Sequence, residues 1–311
     1  MSSNKVLQPN FKLSFLLPKY WLTWFAVCIL YTISWLPFKL QLAMGRLLGR
    51  LLMKIGSKRK HVALTNLRLC FPNKSEIELQ TLLKRNFENT AIALFETGMG
   101  WWWPNWRVRR KFTVKGTEHL ENSLQAGKGV LMLSMHYLSL EMHARGVGYA
   151  HPMVVFYRPH NNQLMEFFQF KGRSRSNRYM LGKRDVKGLI NALKEKEVCV
   201  YLPDQDYGKN RSIFVPFFSV EQAASTTGTL IFASQNNVDT MMMLPVRNDD
   251  DSGYTLEISP AFENFPTGDD VADVTRINQE LEQAISHRPE QYMWLHRRFK
   301  TRPNPEDPSL Y

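Results

Sequence analysis

From Gly116 onward, short apolar runs alternate with stretches of helical periodicity. Residues 130–135 (VLMLSM), 153–157 (MVVFY) and 198–202 (VCVYL) are apolar at nearly every position, as strands buried on both faces require. Further strands are predicted over 240–246 and 254–258, and amphipathic helices over 138–147, 163–170, 186–196 and 271–285. Such alternation predicts an α/β domain with a mostly parallel sheet flanked by helices, in which sites form beyond the carboxyl ends of the strands. Residues 61–115 read as mostly helical, and no internal repeat is visible.

The first 60 residues follow another pattern. Residues 20–38 (YWLTWFAVCILYTISWLPF) carry no charge and are bounded by Lys19 and Lys39. As a helix they would span roughly 28 Å, close to the roughly 30 Å of a bilayer core, with Trp21, Trp24 and Trp35 near the ends where interfacial indoles are favoured. An N-terminal membrane helix is expected, spanning the bilayer or dipping into one leaflet. The next run places Leu40, Met44, Leu47, Leu48, Leu51, Leu52 and Ile55 at helical spacing and Arg46, Arg50 and Lys54 on another face. That is the pattern of a helix lying on a membrane, with cations toward anionic headgroups.

Charge sharpens this division. The 311 residues carry 40 Lys and Arg against 28 Asp and Glu, a formal net charge of +12. Residues 1–75 contain no acid and twelve bases, so they hold the whole excess, while the other 236 residues carry 28 of each sign. Seven of the positives fall from Lys39 to Lys60, which by the positive-inside tendency puts the body of the protein in the cytoplasm. A pI of about 9.6 would also suit nucleic acid, but the basic residues interleave with leucines and the neutral body has no nucleic-acid motif. Hydrophobic residues at 44% exclude a disordered chain, and Cys28, Cys70 and Cys199 have neither disulfide nor zinc spacing.

Polar residues collect where the three buried strands end. The first ends at His136-Tyr-Leu-Ser-Leu-Glu141, the second at Tyr157-Arg158-Pro159, the third at Pro203-Asp204-Gln205-Asp206. Of eight histidines only His136 has a carboxylate five residues on. Across a strand-to-helix turn such a pair can meet, with Glu141 accepting one imidazole N–H and the other nitrogen left to act as a base. No third convergent ligand accompanies them, so no metal is expected. Arg173, Arg175 and Arg178 are candidates for phosphate or carboxylate recognition, and Trp101–Trp103, Trp106, Arg107, Arg109, Arg110 and Lys111 mix indoles and cations as headgroup contacts do, although core packing of at least two of the tryptophans is equally compatible with the pattern.

These segments resemble the late, or secondary, acyltransferases of lipid A biosynthesis, within the superfamily that carries the H-x-x-x-x-D/E motif. The resemblance rests on Asn66-Leu-Arg-Leu-Cys-Phe-Pro72, Glu96-Thr-Gly-Met99 and the HYLSLE segment. It continues through Tyr157-Arg-Pro159, Gly172-Arg-Ser-Arg-Ser-Asn177, Tyr201-Leu-Pro-Asp204 and Pro289-Glu-Gln-Tyr-Met-Trp-Leu-His-Arg-Arg-Phe-Lys-Thr-Arg-Pro303. It is nearest the lauroyl-type enzymes, with Asn161 standing where an acid is expected. The resemblance implies transfer of a fatty acyl chain, lauroyl by this pattern, from acyl carrier protein to a hydroxyl on Kdo-bearing lipid IVA at the bacterial inner membrane, without a cofactor. It supports catalysis by His136 and Glu141 and implies substrate binding by Arg173 and Asp204, the last through an arginine or a sugar hydroxyl. On the residues themselves, Arg158 or the backbone N–H groups after His136 are the substrate-binding donors expected for the developing oxyanion. Residues 1–60 would be the membrane segment, 61–303 the acyltransferase domain and 304–311 a loose tail. Myristoyl, palmitoleoyl and lysophospholipid transferases are the nearest alternatives.

Overall fold

The computed structural model of the chain describes residues 5–304 and 306–311. The N-terminal part is helical: α1 (Trp21–Ser34), α2 (Phe38–Ile55), α3 (Ser57–Cys70), α4 (Glu76–Trp102) and the short α5 (Asn105–Arg109). Alternating elements follow: β1 (Phe112–Lys115), α6 (Thr117–Gln125), β2 (Gly129–Leu133), α7 (Leu140–Ala150), β3 (Met153–Tyr157), α8 (Gln163–Arg173), β4 (Asn177–Gly182), α9 (Val186–Lys194) and β5 (Val198–Tyr201). A hairpin, β6 (Ser212–Phe217) and β7 (Val220–Thr226), precedes α10 (Gly228–Ala233), β8 (Val238–Arg247), β9 (Tyr254–Ile258) and α11 (Asp270–His287).

Seven strands form one sheet in the order β1-β9-β8-β2-β5-β3-β4, parallel throughout except where β8 meets β9. Successive residues of a strand point to opposite faces, so the unbroken apolar runs feed two cores at once. Leu131, Leu133, Val154, Cys199 and Met242 face α9, α11 and the start of α4. Val130, Met132, Met153, Val198, Met241 and Met243 face the other way, toward Leu120 of α6 and Val147 of α7. The predicted α/β class and mostly parallel sheet are present.

The N-terminal membrane helix is not. The apolar stretch read as one span breaks after Ser34, leaving a 14-residue α1 of about 21 Å, and among the described residues no helix is long and apolar enough to cross a membrane. The cause is Pro37, which cannot continue a helix and biases Leu36 away from helical geometry. Side chains from elsewhere satisfy the carbonyls left open at the break: Trp103 Nε1 and Gln41 Nε2 donate to Ser34 at 2.6 and 3.0 Å, and Arg107 donates to Leu36 at 2.7 Å. Trp101 and Trp103 are therefore core residues, while Trp106 remains exposed.

Helix α2 also differs from the expected surface helix. It packs against α4, and the approach is close because Gly45 and Gly49 face it: a Cβ at Gly49 would lie 2.4 Å from the Phe87 carbonyl oxygen. Arg46 and Arg50 pair with Asp251 and Glu88 rather than projecting freely toward headgroups. The expected loose tail is likewise pinned at its end, since the Tyr311 hydroxyl bonds the carboxamide of Asn66 and accepts from the Phe299 N–H.

Candidate active site

His136 lies three residues beyond β2, in a turn that leads into α7, and the parallel neighbour β5 ends at Tyr201 opposite Leu133. Asp204 stands three residues beyond Tyr201, so in-register pairing delivers both groups to the same level of the carboxyl edge. Imidazole Nδ1 lies 2.7 Å from Asp204 Oδ1, and the His136 backbone N–H donates to Oδ2 at 2.9 Å. Asp204 is 1% exposed and both its oxygens are taken by His136, in place of the arginine or sugar contact expected of it. Burial disfavours the imidazolium, but the charge and hydrogen bond of Asp204 more than offset it, so the His136 pKa is raised above 6.5. Burial likewise opposes the Asp204 carboxylate, and His136 with its hydrogen bonds wins again, lowering that pKa below 3.8. With a carboxylate on Nδ1, the hydrogen belongs on Nδ1 and the Nε2 lone pair is available.

Glu141 does not hold His136. Sitting in the first turn of α7, it takes a bidentate hydrogen bond from Arg173 at the end of α8, with Nε 2.9 Å from Oε1 and Nη2 on the same oxygen, and accepts a third from Trp101 Nε1 at 3.1 Å. Arg173 also lies against the Tyr157 ring, 5.5 Å from its centre, so its guanidinium is fixed on two sides. No protein acceptor for its Nη1 is found among the described residues. Arg158 is exposed beyond β3 at the same edge. The other two arginines do not join the site: Arg175 donates to the Trp101 carbonyl, and Arg178, at the start of β4, pairs with Glu197.

Between α7 and the sheet lies a cavity of about 300 Å³, within the size range of small-molecule sites. Its mouth is lined by His136, Glu141, Arg158, Arg173 and Tyr207. Its walls are apolar: Leu140, Ala144 and Val147 recur on one face of α7, opposite Val155, Val200 and Met243 of the strands, and Met153 lies farthest from the edge. His143 also lines it without behaving as a charge, because burial and secondarily the Arg247 cation push its imidazole down to about 3.

A strap from the C-terminal segment braces the catalytic turn from behind. Leu138 N–H donates to Gln291 O at 2.8 Å, Met293 N–H donates to His136 O at 3.1 Å, and Tyr137 and Tyr292 pair as an isolated antiparallel bridge. The irregular strap has its own carbonyls satisfied by Asn66 and Asn86, whose amides reach Trp294, His296, Glu290 and Tyr292. Asn66 and Tyr292 lie in segments that carry the family resemblance, which assigns neither of them a role. No group of three His, Cys, Asp or Glu placed to hold a metal is found among the described residues.

The arrangement offers an imidazole with its Nε2 free, two guanidinium groups and an apolar cavity opening beside them, which suits transfer of a fatty chain to a hydroxyl. Comparison with known proteins agrees with that chemistry. The family model of bacterial lipid A biosynthesis acyltransferases matches residues 8–301. A lipid A biosynthesis palmitoleoyltransferase of Escherichia coli (strain K12) is 42% identical over 304 residues, covering 98% of this chain and 99% of the relative. A lipid A biosynthesis lauroyltransferase of the same organism is 42% identical over 295 residues, 95% of this chain and 96% of the relative. A lipid A biosynthesis acyltransferase of Haemophilus influenzae is 40% identical over 306 residues, 97% and 98% of the two chains.

Proposed function

The chain belongs to the late lipid A biosynthesis acyltransferases and is an O-acyltransferase of that pathway, and we propose that it moves a fatty acyl chain from an acyl carrier protein thioester to a hydroxyl on an acyl chain of Kdo-bearing lipid IVA. The observation that carries this reading is the apolar cavity whose mouth holds His136 beside Arg173. His136 Nε2 takes the acceptor's hydroxyl proton as its oxygen attacks the thioester carbonyl carbon, a contribution of roughly 10² to 10⁴ in rate. The tetrahedral intermediate collapses by breaking the C–S bond, and the departing thiolate recovers the proton from the imidazolium. Asp204 holds the tautomer and stabilises the cation formed in between.

Arg158 and the N-terminus of α7 are the donors within reach of a developing oxyanion. Arg173, fixed by Glu141, meets a phosphate or carboxylate of the acceptor with the guanidinium nitrogen it does not spend on Glu141. Glu141 thus serves catalysis by fixing a cation rather than by orienting the base. The acyl chain lies in the cavity; equal identity to relatives named for lauroyl and palmitoleoyl transfer leaves the slot, not the resemblance, to set chain length.

The protein sits on the cytoplasmic leaflet of the inner membrane without spanning it. Of the 23 large hydrophobic side chains exposed among the described residues, 15 precede residue 56, including Leu13 and Leu22 at 80% and Phe25 at 65%. A concentration of that extent marks a lipid or protein contact, and the exposed Lys12, Lys19, Lys39 and Lys54 among it favour an anionic leaflet.

The test is to offer the purified protein a mixture of dodecanoyl, tetradecanoyl and hexadecenoyl carrier thioesters with the Kdo-bearing acceptor and to weigh the products. A single added dodecanoyl group is expected, and Val155→Phe, which fills the slot, should move selection to shorter chains. Absence of any acylated acceptor would overturn the reading.

A further inference from the structure

We infer that the carboxyl edge of the sheet beyond β5, β3 and β4 is a docking surface for an acidic carrier protein, which rests on the proposed thioester donor and names where that donor's protein part binds. The body of the chain is neutral, yet its charges are sorted at this edge. Lys183 and Arg184 follow β4, Lys187 opens α9, Lys209 and Arg211 follow β5, and Arg158 follows β3; all six are exposed. The acids of the same loops are turned inward or spent locally. Asp204 is bound to His136, Asp206 accepts from Gly208 and Thr301, Asp185 caps α9 through the Gly188 N–H, and Glu166 accepts from the Tyr157 hydroxyl and the His160 N–H. With these four acids engaged locally and the six cations exposed, the edge presents net positive charge although the domain as a whole has none.

Placement selects the occupant. The loops belong to three adjacent strands, about 10 Å across at roughly 4.8 Å per interval, and Arg158 and Tyr207 of those loops line the cavity mouth. A protein-borne thioester must thread its arm through that mouth while its carrier stays outside, against these loops. Much of the exposed apolar surface is on α1 and the turns before it, which reach this edge through the Asn162–Thr23 hydrogen bond at 2.9 Å and the bridge between Lys5 and Leu181 of β4, so the lipid-facing side borders the cationic loops and the carrier docks beside it. Cations ringing an entrance accelerate encounter with an acidic partner and make it salt-sensitive.

The test uses the full chain with Lys183, Arg184 and Lys187 each changed to Glu, none of which lines the cavity. KM for the acyl carrier thioester is expected to rise about tenfold or more with kcat nearly unchanged, and the wild-type dependence of that KM on salt should vanish. KM for the lipid acceptor and co-sedimentation with anionic vesicles should stay as in wild type, and Lys183→Arg with Lys187→Arg should retain the wild-type KM. An unchanged carrier KM in the charge-reversed protein overturns the inference. So does a loss confined to acceptor KM or vesicle binding, which would make this edge a headgroup surface. Wild-type protein that moves no acyl group from the carrier thioester would instead refute the donor on which the inference rests.

Discussion

His136 Nδ1 lies 2.7 Å from Asp204 Oδ1, while the same histidine's backbone N–H reaches the other carboxylate oxygen, so one buried acid fixes both the ring and the turn that carries it. A base held this way works only when neutral, and its pKa is raised, so kcat/KM should fall as pH drops through a value above 6.5. In Asp204→Asn the charge is gone and burial, which lowers the pKa, dominates; the acidic limb should move below 6.5 while the plateau falls by about 10² or more. His136→Ala should lose at least about 10² in turnover with the fold intact. A pH–rate profile of the three proteins decides the matter, and near-normal transfer by His136→Ala would end the base assignment.

The pairing of Glu141 with Arg173 leads to a different expectation. Removing Glu141 leaves a half-buried guanidinium without its bidentate partner and frees Trp101 Nε1, so Glu141→Ala and Arg173→Ala should each cut kcat/KM by about 10² or more. The two groups act as a unit, so the double variant should cost little more than either alone. Because Glu141 does not touch His136, the acidic limb should keep its position in Glu141→Ala. A limb displaced as far as in Asp204→Asn would show that Glu141 does act on the imidazole.

The contrast between these pairs explains what could be read from the chain. The apolar runs announced the strands, and each polar cluster did fall at the end of one of them. The partner of His136 was hidden because local spacing offers Glu141, five residues away, while Asp204 is 68 residues off and reaches the histidine only through the adjacency of β2 and β5. Strand order is not written in hydrophobic periodicity. The same holds at the N-terminus, where composition suggests a span but a single proline divides it, the carbonyls of Ser34 and Leu36 at the break being taken by Trp103 and Arg107 from far along the chain.

Stability should depend on a second buried pair that the sequence did not reveal. Arg247 Nη1 lies 2.8 Å from Glu96 Oε1, which also accepts from the Tyr254 hydroxyl at 2.6 Å, and the Gln291 side chain bonds both the N–H and the carbonyl of Arg247. This ties α4 to β8, β9 and the strap behind His136. Glu96→Ala, which strands a buried guanidinium, should cost about 3–5 kcal/mol in denaturant unfolding, whereas Glu96→Leu with Arg247→Met should cost clearly less. Equal losses in the single and double variants would mean that packing, not the unpaired charge, sets the cost.

Membrane attachment can be separated from membrane crossing. Leu16, Leu22 and Phe25 are exposed at 58%, 80% and 65%, on a helix too short to span and the turn before it. Replacing all three by Asp should leave the folded body unperturbed, since none of them is buried in it, and should remove co-sedimentation with vesicles containing anionic lipid. Salt should weaken wild-type sedimentation without abolishing it, because apolar insertion and charge attraction both contribute. In sealed, cytoplasmic-side-out inner-membrane vesicles, a tag at residue 1 should be cleaved by added protease. A tag that is protected there, or vesicle binding unchanged by the three aspartates, would show that the N-terminal segment crosses the bilayer or plays no part in holding the protein to it.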